Sequence, residues 1–236
     1  MFDKLLQTER RTGEGLQVVQ TRGNASDLPM QLHHVARAIS TKRKMTIVTA
    51  RYTEFNYKLM ASKLAIRWDP NLIRIIELQT LYDGFEMDGE ELIHRIDEDR
   101  TLTDKSSETR GGDNLPAELP SIIYLEDVTV LERLGVRPVA VALLIMRLFD
   151  RMALTFHDQI RPLLIAGFEE ETQSFEMLKD RCNVRILMET IGGGFDKTVT
   201  GKIKLWVRNN KLHEEPRELL YLVGERSIKD FHFGIF

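Results

Sequence analysis

The chain is poor in the features that usually reveal chemistry. It has one cysteine, Cys182, among 236 residues, which excludes an internal disulfide framework and suits a reducing compartment. It has no long hydrophobic run. The longest, residues 139–146, is closed by Arg147 and falls far short of the roughly 20 residues of a membrane helix. The opening residues, MFDKLLQTERRTGEG, lack the apolar core of a secretory signal. These absences predict a cytoplasmic protein with no membrane partner. Metal and phosphate signatures are missing too. His213-Glu214-Glu215 starts like a zinc-protease helix, but Arg217 stands where the second histidine is needed. Gly192-Gly193-Gly194 could suggest a phosphate cradle, but a strand follows where a phosphate-binding loop needs a helix, so it reads as a hairpin turn. The acidic set Asp83, Glu86, Asp88, Glu90 and Glu91 does not match a calcium loop, because Phe85 occupies a ligand position. The expectation is a protein with no catalytic residues, no metal and no cofactor.

What is present is charge, unevenly laid out. Residues 1–72 carry 12 Lys/Arg against 6 Asp/Glu, while residues 73–135 carry 6 against 16. The formal net charge of −3 hides this contrast. A basic block of this size hints at an anionic partner. At 42% hydrophobic residues, the chain can bury a core without staples.

Local patterns predict the following elements. Residues 12–27 read as loop. Ser26 or Asp27 caps a helix beginning near Pro29, with Leu28, Leu32, Val35 and Ile39 toward a core. His33, His34 and Arg37 then face solvent. Residues 44–81 read as strands, with alternation over 57–68 placing Met60, Leu64, Ile66 and Trp68 on one face. Residues 97–120 read as a long polar loop. Residues 121–130 read as a strand, and Pro138 opens an apolar helix over 139–159. A helix over 169–181, with three glutamates in its first turn, precedes a meander of strands at 184–190, 198–207 and 218–223. The fold class expected is α+β: antiparallel sheets packed with helices, in two related strand-rich lobes. The units are 1–96, the loop 97–120, and 121–236.

On those strands, basic and aromatic residues interleave. Arg37, Lys42, Arg43, Lys44, Arg51, Lys58, Lys63 and Arg67 accompany Tyr57, and Lys202, Lys204, Trp206 and Arg208 alternate with apolar residues further on. Lysines and arginines suit phosphates, and aromatic rings suit unstacked bases. The expected partner is RNA or single-stranded DNA, bound on sheet faces, with self-association. A second reading is a phage structural or assembly protein that associates through complementary charged surfaces.

Two stretches resemble the Whirly family. Residues 57–68, YKLMASKLAIRW, are similar to that family's Lys/Ala-rich strand, and residues 183–223 are similar in layout to its second sheet. The chimallin C family of nucleus-forming jumbo phages is a further resemblance. The first implies single-stranded nucleic-acid binding, and the second implies RNA binding.

Overall fold

The computed structural model describes residues 14–78, 121–155, 162–191, 199–209, 212–213 and 216–232. Its strands are β1 (Gly15–Arg22), β2 (Met45–Thr49), β3 (Ile73–Glu77), β4 (Ile122–Leu125), β5 (Leu163–Phe168), β6 (Val184–Thr190), β7 (Gly201–Asn209), β8 (Leu212–His213), β9 (Arg217–Val223) and β10 (Ile228–His232). Its helices are α1 (Leu28–Ser40), α2 (Glu54–Lys63), α3 (Thr129–Arg133), α4 (Pro138–Thr155) and α5 (Gln173–Lys179). Nine strands hydrogen-bond in the order β10-β9-β7-β6-β1-β5-β4-β2-β3, with β8 beside β7. From β6 to β3 every pairing is parallel, while β7, β9 and β10 extend the sheet antiparallel.

Parallel strands need crossovers, and helices supply them. Helix α1 links β1 to β2, α2 links β2 to β3, α3 and α4 link β4 to β5, and α5 links β5 to β6. Alternate residues of each strand therefore enter two cores. Leu16, Val18, Ile123, Leu125, Leu164 and Phe168 pack with α4 and α5. Val19, Ile47, Ile122, Tyr124, Ile165 and Ile186 pack with α1 and α2. Strands β2, β4 and β5 are buried at every position, as expected for a sheet covered on both sides.

This corrects the expected fold class. One continuous, mainly parallel α/β sheet replaces antiparallel sheets in two lobes. The central strands were hidden because double-sided burial removes alternation, leaving short apolar runs such as Ile-Ile-Tyr-Leu. Strand β1 was read as loop, and β5 was overlooked beside Pro162 and Gly167. The helix near Pro29, the strands β2, β3, β6, β7 and β9, and the helix opened by Pro138 do form.

The segment 57–68 is a second correction. It is the helix α2 and the turn beyond it. The Thr53 side chain caps α2 by accepting the Asn56 N–H at 3.3 Å. Tyr57, Ala61 and Leu64 fall on one helical face, so this stretch satisfies both periods. Thr53 and Glu54, a cap followed by an acid, are the local signal that decides for helix. A third correction concerns His33 and His34, which are buried rather than solvent-facing. The expected readings of residues 2–11, 79–120, 157–158, 192–194, 210 and 233–236 lie outside the described residues.

Close packing of the strand ends fixes one glycine. A Cβ on Gly167 of β5 would lie 1.9 Å from the Glu126 main-chain oxygen. Gly167→Ala is expected to destabilise by about 3 kcal/mol, read as a lowered urea midpoint at unchanged slope.

Candidate functional site

In open parallel sheets, ligands enter the crevice outside the carboxyl ends of the strands, where neighbouring connections leave toward opposite faces. Here that place lies between β1, whose chain turns into α1 on one face, and β5, whose chain turns toward α5 on the other. Five side chains converge there from four strand ends. Asp27 follows β1, Arg51 follows β2, Glu126 and Asp127 follow β4, and Glu169 follows β5.

Glu126 is the hub. Its fully buried carboxylate accepts from the Thr49 hydroxyl, from the Ala50 and Arg51 main-chain N–H groups at 3.1 and 3.2 Å, and from Gln31 Nε2 at 3.4 Å. The amide of Gln31 also accepts from the Tyr57 hydroxyl. Asp27 is buried beside it and accepts from the Tyr124 hydroxyl at 3.0 Å.

The Arg51 guanidinium lies among these acids. Its Nη2 is 3.6 Å from Asp27 Oδ1, its Nε is 3.6 Å from Glu126 Oε1, and its Nη1 donates to Glu169. Arg133 continues the chain of charges outward, reaching Glu169 at 3.3 Å and Glu170 at 2.7 Å. Burial pushes Asp27 up to about 6, with Glu126 adding to the rise and Arg51 opposing it. Burial works against the charge on Arg51, yet Asp27, Glu126, Glu169 and Asp127 together raise its pKa. Burial and the neighbouring carboxylates hold the Tyr57 and Tyr124 hydroxyls protonated, as donors.

The start of α1 does not fit a phosphate cradle. A phosphate-binding loop offers free main-chain N–H groups, a lysine and a Ser/Thr at the helix start. The corresponding sequence here is Gly23-Asn-Ala-Ser-Asp-Leu-Pro-Met30. Pro29 has no N–H. The Leu28 N–H goes to Ser26 Oγ at 3.2 Å, and those of Met30 and Gln31 go to the Asp27 carbonyl at 2.8 and 3.0 Å. A cavity of about 20 Å³ lies beside the ends of β2 and β4, between Val48, Leu125, Glu126 and Leu144. It has room for about one water. Among the described residues, no group of three His, Cys, Asp or Glu side chains could hold a metal ion.

The basic residues singled out from sequence do not share one surface. Arg37 lies on α1, and Lys42, Arg43 and Lys44 lie at the amino end of β2, with Arg43 bonded to Ser121 at 3.0 and 3.1 Å. Arg51 is at the opposite end of that strand. Lys58 and Lys63 are on α2, Arg67 follows it, and Tyr57 is buried. On β7, Lys202 and Lys204 lie 3.7 and 3.9 Å from Glu189, and Lys204 lies 3.5 Å from Glu218. Trp206 stacks against Arg185, and Arg208 is exposed. Asp27 was read only as a cap, and Gln31, Thr49, Tyr124, Glu126, Asp127 and Glu169 were missed. Their signal is positional: Glu126 and Glu169 each directly follow a short apolar run, and Asp127 comes next after Glu126.

No family model and no curated protein matches the chain. Among solved structures, the flagellar accessory protein FlaH from Methanocaldococcus jannaschii is similar at a TM-score of 0.62 and 12% identity, over 91% of this chain and 89% of that one. The likeness is one of fold: a mainly parallel α/β sheet of RecA-like type, covered by helices on both faces. It overturns the expectation of single-strand binding on antiparallel sheet faces, since residues 57–68 form no such face. No helix among the described residues is long and apolar enough to cross a membrane.

Two outcomes are expected. Arg51→Met leaves buried carboxylates without their cation and should cost about 3 kcal/mol at neutral pH, measured by urea unfolding. Asp27 has a raised folded pKa, about 6 against 3.8. Its stabilising contribution is therefore complete below pH 3.8 and lost as pH rises through about 6. The stability of Asp27→Asn relative to the parent should climb by about 3 kcal/mol over that window. A flat difference between the two proteins would contradict the assigned titration.

Proposed function

We propose that this chain is a non-catalytic member of the RecA-like group, an accessory subunit whose nucleotide crevice has become a fixed ion-pair lock. The observation that carries this reading is the Arg51 guanidinium lying between Asp27, Glu126 and Glu169. In nucleotide-hydrolysing relatives of such folds, the acid after the corresponding strand helps to hold a magnesium ion. Here the protein's own cation meets that acid, and Thr49 and two main-chain N–H groups fix its remaining oxygen. The helix start, which would have to receive phosphate, has its donors already committed. A buried Asp27 next to that start would also repel phosphate. FlaH, the similar protein, is a flagellar accessory protein, which agrees with a subunit that works through binding to other components.

The purified protein should hydrolyse ATP and GTP with magnesium no faster than buffer, and a fluorescent ATP analogue should not bind saturably in polarisation measurements. Turnover that disappears in Glu126→Gln, with the fold retained by circular dichroism, would overturn the reading.

A further inference from the structure

We propose that the outer face of α2 is a docking surface for an acidic amphipathic helix of a partner protein. The inference stands apart from the crevice and needs neither the ion-pair lock nor the absence of turnover. Helix α2 has apolar residues on both sides. Its inner side is accounted for: Tyr57 and Ala61 are buried, and Met60 and Leu64 pack against the same core. Its outer side carries Phe55, 71% exposed, and Leu59, 47% exposed. Lys63 completes an i, i+4, i+8 stripe with them, and Lys58 and Ser62 flank it. All five positions are exposed.

The charges on this face point to the sign of the partner. Glu54 at 2.9 Å already balances Lys58. Lys63 has no acidic partner among the described residues, nor does Arg67 just beyond the helix. A phenylalanine and a leucine one turn apart, followed by a cation one turn further, match a helix that presents apolar residues at i and i+4 with carboxylates beside them. Such a partner covers the two exposed apolar side chains and compensates Lys63 in one contact.

The probe is a synthetic helical peptide of about 18 residues, with leucines at i, i+4, i+7 and i+11 and glutamates flanking them. Its fluorescence polarisation is read against the full chain, beside a control peptide carrying lysines in place of the glutamates. Expected are saturable binding of the glutamate peptide alone, a loss of about tenfold in affinity for Phe55→Ser, and a loss for Lys63→Glu that the lysine peptide reverses. These side chains are exposed, so unchanged melting curves should accompany both variants. Three results would overturn the proposal. One is no saturable binding, or equal binding of the two peptides. Another is cosedimentation with phosphatidylserine vesicles that Phe55→Ser abolishes, which assigns the face to a membrane. The last is a concentration-dependent dimer lost in Phe55→Ser, which assigns it to a second copy.

Discussion

The buried carboxylate of Glu126 is the constraint around which the crevice is organised. It is a charge removed from water, and such a charge persists only if its lone pairs are occupied and a counter-charge is near. The protein meets both demands by bringing separate connections to one point. Thr49, Ala50 and Arg51 come from the end of β2, and Gln31 comes from the first turn of α1. Glu126 in turn fixes Arg51, and Arg51 reaches Asp27 and Glu169 after two further strands. Four strand ends are thus tied by polar contacts where the cores on the two faces no longer reach. Gly167 belongs to the same arrangement, because only hydrogen at its Cα lets the β4 and β5 ends approach closely enough.

That close approach has a functional consequence. A crevice that binds and releases a ligand needs loops that can open, drawn from the less stable part of the fold. Here the loops at the carboxyl edge are held by a partly buried guanidinium, whose planar set of donors engages several carboxylates at once. Its side chain is 29% exposed, so solvent screens it less than a surface pair. The outer links, Arg133 to Glu169 and Glu170, lie in water and contribute less. The strength of these contacts therefore falls off outward from Glu126.

Much of the secondary structure was legible in the sequence, and the topology was not. Pro29 and Pro138 marked helix starts, and alternation marked β7, where Ile203, Leu205 and Val207 are buried while Lys202, Lys204 and Trp206 are partly exposed. The parallel centre was not legible, because a strand covered on both faces loses the period that identifies it. Residues 57–68 were ambiguous for the opposite reason, since they carry two periods at once. Counting charge misled in a particular way. It grouped Arg51 with Lys42, Arg43 and Lys44 by nearness in sequence, although a strand of five residues, β2, separates them to opposite ends of the sheet. The acids that Arg51 meets come from residues up to 118 positions away, a pairing that no local pattern encodes.

The buried polar groups under α1 also respond to acid in opposite senses. Tyr124 links them, its hydroxyl donating to Asp27 and its ring lying 6.1 Å from that of His34. Neither ring nitrogen of His34 has a hydrogen-bond partner among the described residues. Burial lowers its pKa well below 6.5, and the charges of His33, Arg37 and Arg43 lower it further. A lowered histidine contributes stability above its unfolded value that is lost as pH falls below 6.5. Asp27 behaves in reverse, losing its contribution as pH rises from 3.8 through about 6. Across the acidic range, protonation thus relieves one end of the Tyr124 bridge while it burdens the other. As pH falls below about 6 the two slopes oppose each other, so protonation of Asp27 offsets part of the burden that acid places on His34 on this side of the core.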